Sequence, residues 1–190
     1  MIRVIIAGVL GGIVVFNCGY VEHMLFHWGE PKGKLASEAA FAEFIKGQNL
    51  QPDFYFFPGM PAETSKEEMD KLNERYKQGP SGILLIAPTG EDALSPHKLI
   101  AEAVTNVVCA LVAAAILALL APGTNFCTRW LVVLLIGFFA WLSIDASYGI
   151  WYRFPSQFVH EQLYCALFEW GVGGLVIAAI AKPRAAQTGN

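Results

Sequence analysis

Charge is what this chain has least of. Only 15% of its 190 residues are Asp, Glu, Lys or Arg, against roughly 25% in a soluble domain. No block of Lys and Arg is present, which removes the electrostatic footprint of a nucleic-acid partner. Four cysteines, Cys18, Cys109, Cys127 and Cys165, lack any CxxC spacing, so a zinc ribbon or thioredoxin-like redox motif is excluded. They are expected as small apolar residues, although Cys18 and Cys165 fall at a similar depth, where a disulfide would be sterically conceivable. A glycine-rich phosphate loop, a nucleophile elbow and an HExxH pair are absent as well, which sets aside the chemistries they serve. No serine has a recognisable base near it in sequence.

Apolar side chains fill the space left by charge. Hydrophobic residues make up 55% of the chain, and they gather into four runs: Ile2 to Val21, Leu99 to Leu120, Trp130 to Ile150 and Val159 to Ala181. Each is about as long as the 20 residues needed to cross a bilayer core of roughly 30 Å. The predicted fold class is an all-α membrane domain, a four-helix transmembrane bundle, with a small α/β extracytoplasmic insertion between spans 1 and 2. The expected parts are a first span over residues 1–21, an insertion over 22–98, three spans over 99–181 and a tail over 182–190. The first span ends in Asn17, Cys18 and Tyr20 without a small-x-small cleavage pattern or a lipoprotein box, so it is expected to stay as an anchor.

Basic residues set the expected orientation. Arg3, Arg129, Lys182 and Arg184 flank one set of span ends and no acid accompanies them, which by the positive-inside rule makes those ends cytoplasmic. Both termini then lie inside and residues 22–98 outside. Arg153, in a short outer connection, is the exception.

Start and stop signals give the insertion an α-β-α-β order. Ser37 opens a helix from Glu38 to Lys46 that Gly47 closes. Asp53 to Phe57, stopped by Pro58-Gly59, reads as a strand. Ser65-Lys-Glu-Glu68 is a capping box for a helix to Gln78. Gly82 to Ala87 reads as a second strand, and Ser95 with Pro96 starts the second span. Two strands and two helices make a marginal core, so the aromatic run Phe54 to Phe57 is expected to need cover from the segment's own helices, from the lipid interface, or from an envelope protein or a second copy.

Glycines mark where helices approach closely. Gly8 and Gly12 share a face of the first span, and Gly171, Gly173 and Gly174 lie in the last. Small residues at this spacing allow tight packing in lipid, expected here within one chain.

Location makes the acids informative. Twelve of the 16 fall in residues 22–98. The other four, Glu102, Asp145, Glu161 and Glu169, lie in or beside the spans, all toward the outer side. Glu169 lies deepest: the 13 residues from it to Lys182 correspond to about 20 Å. Glu161, Cys165, Glu169 and Gly173 recur every four residues, on one helix stripe. A charge near mid-membrane costs on the order of 3 kcal/mol, so this stripe is expected to face the bundle interior or water, with Glu169 protonated at rest. A proton-, cation- or polar-ligand site would draw on Glu169, Asp145, Glu102, Asn106, Asn17 and Glu161; a packing network of hydrogen bonds would use the same groups. His23, His27, His97 and His160 all map to the outer rim. His23 and His27, four apart, together with His160 and Glu161, are the candidate ligands for a metal or haem, and amphipathic rim residues are the plainer account of them. The sequence requires no cofactor.

The segments GYVEHMLFHWGE, DFYFFPGM, GPSGILLIAPTG and FAWLSIDASYGIWYRFP together resemble a family of uncharacterised bacterial four-span membrane proteins. The resemblance covers nearly the whole chain; it implies an inner-membrane location and supplies no activity, substrate or site residue. Three functional readings follow. The first is a non-enzymatic accessory or interaction subunit whose insertion meets an envelope protein. The second is a small proton- or ion-linked transporter using the carboxylates, and the third a redox or metal protein with a rim histidine site.

Overall fold

The computed structural model describes residues 1–90 and 92–183; Arg184, one of the flanking bases, lies outside the described residues. The chain divides into two units. One is Met1–Pro31 together with the chain from Ala93 on, and the other is Lys32–Asp92.

Four helical stretches in the first unit are long and apolar enough to cross a membrane: Ile2–Phe26, Pro96–Ala118, Phe126–Trp151 and Ser156–Ile180. They comprise α1 (Ile2–Val21) with a π-helical turn (Glu22–Phe26), α4 (Pro96–Ala118), α5 (Phe126–Ser143) followed by the short α6 (Asp145–Trp151), and α7 (Ser156–Ile180). Ser95 accepts the Lys98 amide at the start of α4, and Asn125 accepts the Thr128 amide at the start of α5. Each serves amides that a helix start leaves without a backbone partner.

The helix of the first span does not stop at Val21 as expected. It runs on through Glu22–Phe26 and ends where His27 takes a left-handed conformation, φ 54°. Met24, Leu25 and Phe26 keep the outer face apolar while Glu22 turns inward. The third span bends at Ile144, φ −110° and ψ −66°, which ends α5 and makes Asp145 the first residue of α6.

α1 packs against α4 and α7, and α5 against α7. Glycine makes these approaches close. A Cβ on Gly12 would stand 2.4 Å from Val107 Cα, on Gly11 2.3 Å from Ile177 Cγ1, on Gly173 2.5 Å from Val15 Cγ2, and on Gly137 2.5 Å from a Trp170 ring carbon. The helix glycines are therefore used within the chain. Each of these pairs runs antiparallel, and Ala7, Ala110, Ala113, Ala114, Leu117, Val133, Ile177 and Ala178 form one fully buried core at the α1 start. Trp130 Nε1 donates to Gly171 O at 2.8 Å and Trp141 Nε1 to Val159 O at 2.9 Å, so the indoles tie α5 to α7 without leaving a buried donor unpaired.

Arg129, one of the flanking bases, packs against the end of α7. It is buried, donating from Nε to Ala178 O at 2.9 Å and from Nη1 to Thr124 O. Ala178 is in the last turn of α7, whose carbonyls lack helical partners and carry the negative end of the dipole.

The second unit holds α2 (Glu38–Gly47), β1 (Asp53–Phe57), α3 (Lys66–Gln78) and β2 (Gly82–Ile86). The strands are antiparallel, pairing Asp53 with Ile86 and Phe57 with Gly82. Ser37 and Ser65 cap as expected, but the Glu68 carboxylate of the anticipated box goes to Lys71 Nζ at 2.8 Å. Burial is sparse: Leu72 and Pro58 are buried, whereas Phe54, Phe56, Phe57 and Leu85 on the strands are exposed.

Candidate functional site

The inward face of α1 is a single stripe, Gly8, Gly11/Gly12, Val15, Cys18 and then Glu22, all buried. The steps of three and four residues keep it on one side of the helix. The opposing stripe on α7 is Ile177, Gly173, Glu169, Cys165 and Glu161. Antiparallel packing sets Gly11 against Ile177, Val15 against Gly173 and Gly19 against Glu169. The helices thus meet through small and apolar residues at one end and through carboxyl and thiol groups at the other.

Glu22 is the residue that sequence reasoning missed, having been assigned to the polar segment. It is 0% exposed, and both carboxyl oxygens are buried without a hydrogen-bond partner among the described residues. Its neighbours are the Glu169 carboxyl and the Cys165 thiol. A signal was present: Glu22 continues the stripe of Gly8, Gly12, Val15 and Cys18, and Met24-Leu25-Phe26 prolongs the apolar run beyond it. A carboxyl group inside a low-dielectric helix pack costs free energy unless it is paired, protonated or joined by a cation.

Glu22, Glu169 and Asp145 line one cavity of about 200 Å³, with His23, Gln162 and Cys165 as its other polar wall and the indoles of Trp141 and Trp170 on the α5 and α7 sides. No Lys or Arg lines it. Gly19 helps to make the space, since a Cβ there would stand 3.2 Å from Glu169 Oε1. Cys18 lies within range of both acids, and both Cys18 and Cys165 are free thiols.

The remaining expected site residues lie elsewhere. Glu102 on α4 is exposed and outside the cavity wall. Asn106 is half-buried with its backbone carbonyl facing Gly12, and Asn17 donates to Ile13 O of its own helix at 2.7 Å. Glu161 is buried and occupied by structure, accepting the Gly29 amide and Gln157 Nε2, each at 2.9 Å. His23 Nδ1 meets Trp28 O at 3.0 Å, His27 Nδ1 meets Glu30 Oε1 at 3.2 Å, and His160 is exposed. Among the described residues no three His, Cys, Asp or Glu side chains converge as metal ligands.

Comparison with known families, curated proteins and solved structures finds no match to this chain. The site's materials are two neighbouring carboxyls, a third in the cavity wall, His23 and no Lys or Arg, an arrangement of net acidic character.

Proposed function

We propose that this chain is an integral protein of the bacterial inner membrane, its four long helices crossing as a bundle with both termini cytoplasmic, and that it works as a small proton-linked membrane protein. Glu22 and Glu169 are the proton-binding pair. One observation carries this reading: Glu22 is wholly buried, its carboxyl oxygens have no hydrogen-bond partner, and it shares a cavity with Glu169. A carboxyl pair without a Lys or Arg partner in a medium of low dielectric is neutralised by a proton or a small cation. Two carboxyls sharing that charge release and rebind it as a unit, which is what coupling to transport or to a conformational change requires.

Infrared difference spectroscopy on the protein in liposomes, stepped between acidic and alkaline buffer, tests the reading. The C=O stretch of a buried protonated carboxyl is expected to change with pH and to be lost in Glu22→Gln and in Glu169→Gln. A spectrum unchanged by either substitution would overturn the assignment.

A second reading rests on a different observation. Phe54, Phe56, Phe57 and Leu85 give both strands of the small sheet large apolar side chains with part of their surface exposed, as an accessory subunit that meets an envelope protein would need. A photo-crosslinking residue at Phe56 is expected to capture one such partner in cells; a monomer without crosslinks sinks it.

A further inference from the structure

The two ends of the cavity differ. Below the carboxyl pair, toward the start of α1, the helices are in close contact over the levels of Val15 and Gly11. Val15 meets Gly173, Gly11 meets Ile177, and Gly174 is closed by Val133, where an added Cβ would lie 3.2 Å from Cγ1. Val15, Val133, Gly173, Gly174 and Ile177 are all buried, a closely packed layer between the pair and the start of α1. Above the pair the wall opens. α5 has ended at Ser143, the chain turns into α6, and the lining consists of the exposed His23 with the half-buried Asp145 and Gln162.

Resting on the proton-linked reading, we propose that the Glu22–Glu169 pair communicates with one aqueous phase only, through the mouth formed by His23, Asp145 and Gln162, and that Asp145 draws monovalent cations, the proton foremost, into it. That mouth is at the His27 end of the first long helix, the extracytoplasmic side in the topology proposed above. The ionisable groups facing the pair are Cys18 from α1, His23 from the π-turn, Glu102 from α4, Asp145 from α6, and Glu161 and Cys165 from α7. All except His23 are acids or thiols, so the mouth attracts cations and repels anions. Asp145 is a positioning residue: it concentrates the cation at the rim without holding the buried proton.

Cys165 lies in the cavity wall and reports on access. The full-length protein is exposed, in vesicles of each orientation, to a membrane-impermeant trimethylammonium methanethiosulfonate, and labelled cysteines are located by peptide mass spectrometry. Cys127, exposed at the start of α5, reports the opposite face in the same sample. Cys165 is expected to react only from the face where Cys127 does not. Asp145→Asn is expected to slow its labelling about tenfold for the cationic reagent and to leave a neutral reagent of the same size unaffected. Labelling of Cys165 from both faces, from the Cys127 face, or from neither overturns the inference, as does an equal effect of Asp145→Asn on both reagents. The native chain is the substrate for the sidedness test, so a misfolded variant cannot obscure it. One-sided labelling with an infrared spectrum indifferent to Glu22→Gln would keep the access route and remove the proton pair. Two-sided labelling with a Glu22-dependent spectrum would do the reverse.

Discussion

Replacing Glu22 by methionine should make the protein more stable and inactive at once. The magnitude follows from the burial of the side chain: none of it is exposed and neither carboxyl oxygen has a partner. An unsatisfied buried polar group costs about 1–3 kcal/mol, and replacing buried ionisable groups with apolar ones of similar volume often gains about 1–4 kcal/mol. Methionine is unbranched, similar in length and adaptable enough to fill the space beside Cys165 and Glu169. Glu22→Met is therefore expected to raise the free energy of unfolding by about 1–3 kcal/mol, measured by titrating the protein from mild detergent into dodecyl sulfate and following its circular dichroism. Glu22→Gln, which keeps a polar head without partners, should gain much less. The pH-dependent infrared signal should vanish in both. A Glu22→Met protein less stable than the parent would show that the carboxyl is held by favourable contacts, and the account of it as a group kept for function at the expense of stability would be wrong.

The other expectations concern the frame around this pair. Gly12→Ala places a methyl group 2.4 Å from the backbone of Val107, so α1 and α4 must separate; a loss of about 1–3 kcal/mol is expected in the same titration, whereas Gly171→Ala, with its nearest neighbour 3.8 Å away, should stay within about 0.5 kcal/mol. Arg129→Met removes the donors to Ala178 O and Thr124 O and should cost about 1.5–3 kcal/mol, the range for hydrogen bonds to charged groups; a neutral result would mean that α7's last carbonyls find other partners. Ser65→Ala deletes the cap that accepts the Glu68 amide, an effect of about 1 kcal/mol. It should appear as faster limited proteolysis within residues 66–78 while the four long helices stay intact.

Much of the frame was legible in the sequence because it depends on composition and on near neighbours. Four apolar runs became four long apolar helices, since hydropathy over 20 residues overwhelms local propensity in setting where such helices lie. Ser37, Ser65 and Ser95 announced helix starts through hydrogen bonds reaching only three residues ahead. The four-residue spacing of Glu161, Cys165, Glu169 and Gly173 put them on one inward stripe. What resisted was the termination of the first span. Glu22 lies at an apolar-to-polar border, where a carboxylate is ordinarily solvated, and only packing against the neighbouring α7 makes its inward rotamer a buried one.

The sequence by itself determined the number, length and apolar character of the long helices, the order of elements between the first two, and the inward stripe of α7, because each follows from hydropathy, periodicity or a cap within a few residues. Tertiary structure alone decided that Glu22 belongs with Glu169, that Asp145 stands at the cavity rim after a break in the third span, that Glu161 and Arg129 are occupied by backbone groups, and that Asn17, Asn106 and Glu102 lie outside the cavity wall. Glu22 and Glu169 are 147 positions apart in the chain, and no short-range rule can bring them together. Their meeting depends on Gly12, Gly19 and Gly173 letting three helices approach closely enough to place two carboxyls on one cavity.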